Sequence, residues 1–117
     1  MNHTKTFSAT VNENGITQLS GKIDERYKTL VGLQLSSPTG NRAILRRGSI
    51  GLQLGTTVLI DEGEPAMLLL RTVGQHPVAL PDMPLTGTSR IFQLRYIDTP
   101  DGEVFVPHKI QLTFTLR

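Results

Sequence analysis

The histidines and carboxylates are the first residues to test for chemistry, because these groups ligate metals and transfer protons. His3, His76 and His108 are scattered, and no two of them have the i, i+2 or i+4 spacing of a metal-binding pair. Acidic residues gather at two predicted turns, 61–64 and 98–103, and carboxylate oxygens suit calcium. Neither turn has the spacing or the glycine position of a recognised calcium loop, so we expect solvated turn charge there and leave calcium open.

No residue pattern predicts covalent or phosphate chemistry. The chain contains no cysteine, which excludes a disulfide framework, a thiolate metal site and a cysteine nucleophile. None of the serines occupies a strand-turn-helix elbow such as G-x-S-x-G. Gly48, Gly51 and Gly55 lack the Lys-Ser/Thr pair of a phosphate loop, and we interpret them as places where a strand bends or another backbone approaches. We therefore predict a protein that is not an enzyme and holds no metal or other cofactor.

A basic group precedes Gly48 in a segment with few acidic residues. It consists of Arg42, Arg46 and Arg47, whose planar guanidinium groups pair with carboxylate or phosphate. The alternative is an edge strand that its charges protect from aggregation. We predict that Arg46 and Arg47 form the charged rim of a protein contact.

The segment 74–87 predicts the apolar part of that contact. It interleaves three prolines with aliphatic residues, shows no evident secondary structure and is too apolar for disorder. Its prolines reduce the entropy lost when the segment is held in one shape. We predict that Leu80, Met83 and Leu85 contact a neighbouring subunit; the alternative is a lid over the end of the same domain.

Most of the chain alternates apolar and polar residues as β-strands do. The clearest case is 109–117, in which Ile110, Leu112, Phe114 and Leu116 face one way and polar residues face the other. Further strands are predicted, with turn residues between them, at 7–11, 16–23, 29–35, 43–46, 50–60, 66–73 and 90–97. Turns are predicted at 61–65 and 98–102.

This pattern predicts an all-β fold, a two-sheet antiparallel sandwich, with a single jelly roll of about eight strands as its topology. One domain covers 1–117, since this length supplies a single core. An immunoglobulin-like sandwich is the rival, but the buried Trp and paired Cys of antibody-type domains are absent from the sequence.

Charge and hydropathy limit the kinds of partner and compartment that we expect. A net charge of +2 is too small to predict nucleic-acid binding by bulk charge. The longest aliphatic run, 66–70, is too short to cross a bilayer, so no membrane insertion is expected. The first residues lack the apolar stretch of a signal peptide, and the absence of cysteine favours a reducing compartment.

From Phe7-Ala9-Val11 to Ile110-Leu112-Phe114-Leu116, the strand pattern and chain length resemble the small single jelly-roll structural proteins of virions, such as capsid or vertex subunits of bacteriophages. The resemblance implies a cyclic homo-oligomer, a pentamer at a vertex for example, that contacts other coat proteins within a virion assembled in the host cytoplasm. Many such proteins carry a basic arm for the genome, whereas here only Lys5 precedes the first strand.

The alternative from another class is a ligand-binding β-sandwich of the carbohydrate-binding or adhesin type. Sugar rings stack on exposed aromatic side chains, and this chain has only four Phe and two Tyr, at least three of them on predicted core faces. A cupin-like enzyme on the same fold needs a metal cluster that three dispersed histidines do not supply. A small-molecule ligand is therefore not expected.

Overall fold

The computed structural model describes residues 2–38, 48–71, 77–100, 102 and 104–117, and this part of the chain forms two antiparallel four-stranded sheets. The strands are β1 His3–Val11, β2 Gly15–Lys22, β3 Thr29–Ser36, β4 Gly48–Leu54, β5 Thr57–Pro65, β6 Val78–Pro84, β7 Ile91–Asp98 and β8 His108–Leu116. Two 3₁₀ turns, Ala66–Leu68 and Gly87–Arg90, are the only helical elements in these ranges. The predicted all-β antiparallel sandwich is confirmed.

The strand pairs are nested along the chain. β1 pairs with β8, β2 with β7, β3 with β6 and β4 with β5, all antiparallel. The order is β1-β8-β3-β6 in one sheet, here called sheet A, and β2-β7-β4-β5 in the other, sheet B. A long antiparallel ribbon that is folded over, so that β8 meets β3 and β7 meets β4, produces these two orders.

The alternation predicted for the last strand is confirmed. Ile110, Leu112, Phe114 and Leu116 are fully buried between the sheets. β1 and β8 are neighbours in sheet A. On the outer face of that sheet, the hydroxyl groups of Thr6 and Thr113 are 2.9 Å apart. β8 thus contributes its apolar face to the core, while on its other face Lys109 is exposed, Gln111 and Thr113 are half-buried and Thr115 is buried.

Three phenylalanines fill the middle of the core. The ring centroid of Phe92 lies 4.6 Å from that of Phe7 and 4.9 Å from that of Phe114. The rings of Phe92 and Phe7 press against the backbone at Gly21, where an added Cβ would lie 2.8 Å from the Phe92 ring and 2.9 Å from the Phe7 ring. Close packing therefore favours glycine at this position.

Two predictions around residue 65 are wrong. The run 66–73 was expected to be a buried strand, but Ala66–Leu68 is a 3₁₀ turn, because apolar residues without alternation do not distinguish a strand from a compact turn. The turn expected at 61–65 belongs to β5. The register of β5 shifts opposite Gly51, and an edge strand accommodates both this bulge and the terminal Pro65.

The segment 74–87 is not structureless along its whole length. Val78–Pro84 forms β6, which pairs with β3 at the edge of sheet A. Prolines fit there because one side of an edge strand has no ladder partner to receive an N–H group. The short strand expected at 43–46 lies outside the described residues.

The antiparallel order places four connections at one end of the sandwich, here called the loop end. Val11 pairs with His108, and Gly15 and Gly48 both pair with Asp98, so β1 ends where β2, β4 and β8 begin. The β1–β2, β3–β4, β5–β6 and β7–β8 connections therefore all lie at this end.

The opposite end is closed by Arg90, which is 6% exposed. Its Nη1 donates to the carbonyl oxygens of Asp24 and Tyr27 at 3.0 and 2.6 Å, and its Nη2 donates to that of Leu85 at 2.9 Å. One guanidinium group thereby joins the β2–β3 connection to the β6–β7 connection.

Candidate functional site

The predicted contact residues do not form one patch among the described residues. Met83 lies in β6 opposite Leu30 and is half-buried. Leu85 is buried in the core of its own sandwich. Leu80 also belongs to β6, but its side chain lies outside the described part of the structure.

Arg46 and Arg47 lie outside the described residues. Gly48, which follows them, pairs with Asp98 at the loop end, whereas Met83 lies towards the opposite end. The start of β4 is thus remote from Met83. Contact of these five residues with a partner stays a prediction, and the core already occupies the side chain of Leu85.

The loop end instead presents two aliphatic residues from the β7–β8 connection, Val104 and Val106, here called the valine pair. Val104 is 88% exposed and Val106 is 65% exposed. The intervening Phe105 packs against the core, with its ring centroid 5.9 Å from that of His108. Because Phe105 is anchored inward, its two neighbours are directed outward.

His108 fixes this connection from within. The residue is buried, and its Nδ1 lies 3.0 Å from the Val106 carbonyl oxygen. A carbonyl oxygen can only accept, so Nδ1 carries the proton in this hydrogen bond. Within the described residues, Nε2 of His108 has no hydrogen-bond partner.

Tyr96, whose ring contacts His108, belongs to a polar cluster inside the loop end. Asp98 is 1% exposed and accepts a hydrogen bond of 2.7 Å from Asn14 Nδ2. The hydroxyl group of Tyr96 lies 3.4 Å from Asp98, and the Tyr96 ring stands edge-on to that of His108. These contacts tie the β1–β2 turn to β7 and β8, which makes the cluster a structural support for the loop end.

A second outward-facing pair comes from the 3₁₀ turn in the β5–β6 connection. Met67 and Leu68, here called the Met–Leu pair, are 56% and 50% exposed. Ala66 and Leu69 on either side are buried. The Leu69 N–H donates to the Ala66 carbonyl at 3.1 Å, and the Leu69 carbonyl accepts from the Leu35 N–H at 2.8 Å.

A groove of about 340 Å³, lined by both polar and aliphatic residues, lies on the outer face of sheet B. Its floor carries Gln53 and Gln93, which are register partners, beside Ser20. At one side of the groove, Arg95 forms an ion pair with Glu62. The backbone of Glu62, in the β5 bulge, lies directly over Gly51 of β4. Amide and hydroxyl groups both donate and accept hydrogen bonds, so the floor of the groove can bind a polar ligand, beside the charged residues Asp61, Glu62 and Arg95.

The acidic turns give no metal site in the described part of the chain. Asp61, Glu62 and Glu64 lie exposed along β5, and Asp98 is buried against Asn14. Residues 101 and 103 lie outside the described ranges, as does His76. Among the described residues, no group of three or more His, Asp or Glu residues is placed to share a metal ion.

Sequence reasoning missed both outward-facing pairs. Val104 and Val106 alternate with Phe105, a signal for one inward residue between two outward ones. The run at 66–70 carried no such alternation, and only the structure shows that Met67 and Leu68 leave the core.

Comparisons with protein-family models, with curated proteins and with solved structures found no match. No helix in the described ranges is both long and apolar enough to span a membrane.

Proposed function

We propose that this chain is a non-enzymatic structural subunit that assembles with copies of itself, of the kind that builds the capsid or a vertex of a virion. The nested strand pairing carries the proposal. Orders β1-β8-β3-β6 and β2-β7-β4-β5 are the ones expected when an eight-stranded ribbon folds into two Greek keys, which supports a single jelly roll as the topology. Viral capsid domains are among the proteins built on this topology.

The filled interior supports an assembly role over a chemical one. Phe92 and Phe114 are fully buried and occupy the space between the sheets. A jelly roll that works as an enzyme or binds a ligand inside its barrel needs an open interior with converging polar groups. This domain therefore meets other molecules through its exterior.

The partners that follow from this proposal are further copies of the chain and other coat proteins. Its place would be the virion, after assembly in the host cytoplasm. The net charge of +2 gives nucleic acid no general attraction to this subunit.

Native mass spectrometry of the purified chain tests the proposal. We expect a closed oligomer with one discrete multiple of the 12.9 kDa chain mass, and ring-shaped particles by negative-stain electron microscopy. A monomer that persists at the highest soluble concentration would contradict an assembling subunit.

The groove on sheet B favours one alternative, a ligand-binding sandwich. Gln53 and Gln93 provide donors and acceptors side by side, as the hydroxyl groups of a carbohydrate require. No aromatic residue lines the groove in the described part of the chain, so the stacking platform typical of sugar sites is missing there. A monomer whose groove amide resonances shift when neutral oligosaccharides are added would favour this alternative.

A further inference from the structure

We propose that two copies of this chain pair through the free edge of β1, with β1 of one copy antiparallel to β1 of the next across a two-fold axis. Sheet A would then continue through the contact as a sheet of eight strands, four from each copy. This inference rests on the proposed assembly function and names a surface that performs it. The occupant of the edge is a second copy of the same chain.

Two of the four edge strands in the described part of the chain are protected against further pairing. β5 is interrupted by register shifts opposite β4, carries three exposed carboxylates and ends in Pro65. β6 contains Pro81 and Pro84, which have no N–H group to donate, and its register with β3 is also irregular. Bulges, prolines and charges are the devices by which proteins keep sheet edges from joining.

β1 has almost none of these devices. It pairs with β8 over its whole length without a register shift, and it contains no proline, no glycine and no carboxylate. Residues of an antiparallel strand alternately direct their N–H and C=O groups towards one neighbour and away from it. Among the described residues no strand lies on the outer side of β1, so this edge offers a regular row of donors and acceptors.

β2 is the other regular edge, but it is a weaker template for pairing. It contains Gly15 and Gly21, and glycine weakens a strand because it adds backbone freedom and no side-chain packing. β1 instead alternates inward residues with a row of hydroxyl residues, three of which are β-branched and favour the extended conformation. This outer row consists of Thr4, Thr6, Ser8 and Thr10.

The side chains of β1 are compatible with a second copy of the same strand. A strand that meets its own copy across a two-fold axis is necessarily antiparallel to it. With the axis at Phe7, Lys5 lies opposite the partner's Ala9, and Thr6 lies opposite the partner's Ser8. The single lysine of β1 therefore does not face another lysine, and small hydroxyl side chains face each other on the outer row.

Phe7 gives the contact an apolar centre. Its side chain is half-buried at the edge of the core, with its ring centroid 5.8 Å from that of Phe114. The two-fold axis places the Phe7 rings of the two copies opposite each other, where each covers part of the surface that the other leaves exposed. Aromatic residues directly opposite on two strands stabilise a sheet beyond the area that they bury.

The main chain of β1 can supply the hydrogen bonds that a specific contact needs. An antiparallel pair of strands forms about one such bond per residue, so its nine residues give about nine bonds. An interface of standard size has about ten direct hydrogen bonds. Backbone complementarity therefore carries this contact, and a large exposed apolar patch is not required.

Charged substitutions on the outer row test the pairing. Thr6→Lys/Ser8→Lys opposes two new lysines of one copy to two of the next, and Thr6→Glu/Ser8→Glu does the same with carboxylates. Both positions are exposed, so each variant should keep the β spectrum of the wild type. A two-fold contact makes the wild-type species an even multiple of 12.9 kDa, and we expect native mass spectrometry to show half of that mass for each variant.

Mixing the two variants gives the decisive result. New lysines then lie opposite new glutamates, so we expect a species of the wild-type size that contains equal numbers of both variants. The matched control is Gln18→Lys/Ser20→Lys at exposed positions of β2, which should assemble as the wild type does. If a β1 variant loses its β spectrum, Thr4→Lys/Thr10→Lys and the corresponding Glu variant replace the pair, since these positions are also opposed across the axis.

The remaining outcomes separate this contact from the assembly function. A monomeric wild-type chain overturns both. A wild-type oligomer with an odd number of copies, or one whose size is unchanged in both β1 variants, overturns the β1 contact and leaves the assembly function standing. Variants that dissociate but do not combine on mixing overturn the pairing of β1 with itself. Equal dissociation of the β2 control overturns the assignment of the contact to β1.

Discussion

Removing the Arg90 guanidinium group should destabilise the sandwich more than any other change of an exposed or polar residue that we consider. Its three hydrogen bonds to the carbonyls of Asp24, Tyr27 and Leu85 join two connections at the end opposite the loop end. A hydrogen bond to a charged group contributes about 1.5–3 kcal/mol, and a buried carbonyl left without a donor adds a desolvation cost.

Arg90→Met keeps the length of the side chain and removes every donor. The loss of three charged hydrogen bonds sets the upper limit of the destabilisation. Water can reach the carbonyls of Asp24 and Tyr27, whose hydrogen bonds are only partly buried, and this reduces the loss. We therefore expect a loss of about 3–5 kcal/mol in the free energy of unfolding. With an m-value of about 2 kcal/mol/M, the urea midpoint should fall by about 2 M while the slope stays unchanged.

Two further variants make the measurement specific. Arg90→Lys keeps the charge but cannot span three carbonyls with one ammonium group, so its loss should be intermediate. Arg26→Met removes an exposed arginine from the same β2–β3 connection and should cost less than about 1 kcal/mol. A loss below about 1 kcal/mol for Arg90→Met would show that the carbonyls do not depend on this guanidinium group.

Three further stability predictions follow from the packing, each measured by urea or thermal denaturation. Phe114→Ala should cost about 3–5 kcal/mol because the ring is fully buried, whereas Thr113→Ala on the outer face of the same strand should cost less than about 1 kcal/mol; equal losses would contradict the register. Gly21→Ala should cost about 1–3 kcal/mol, since the new methyl group overlaps the Phe92 ring, and an unchanged stability would mean that the ring moves freely. Gly51→Ala should cost about 1–3 kcal/mol because its methyl group would meet the β5 backbone, and a neutral result would show that the bulge shifts at little cost.

Strict alternation was sufficient to predict the strands that have one buried face. The final strand is the clearest example, because a period of two is compatible with one face of a sheet and with no helix. The same information predicted two sheets and an antiparallel arrangement. Strand order could not be predicted in this way, since it depends on partners that are far apart in the sequence.

Predictions from local composition were wrong where the position of a segment in the sheet determines its conformation. Residues 61–65 have the composition of a turn, yet they extend β5, because an edge strand tolerates a bulge and a proline. Pro81 and Pro84 suggested an irregular loop, yet they lie in the edge strand β6 for the same reason.

Tertiary position also decides which apolar residues are exposed, and for this reason the sequence did not predict the exposed apolar surface correctly. Leu85 looked like an exposed anchor in the sequence, but its backbone N–H donates to the Lys28 carbonyl at 2.8 Å and its side chain enters the core. Met67 looked like a core residue and is exposed. A local sequence pattern does not show whether an aliphatic residue in a connection turns inward. The direction depends on the side chains of other strands that pack beneath the connection.

The position of β8 between β1 and β3 has a consequence for how the chain is made. A ribosome completes β8 after the other seven strands, so sheet A cannot pair through its middle while those strands emerge. Thr6 meets Thr113 across 107 positions of sequence, a separation that typically slows folding into the range of milliseconds to seconds. Until then β1 and β3 both lack their shared partner, and unpaired strand edges of this kind make an incomplete chain prone to aggregation.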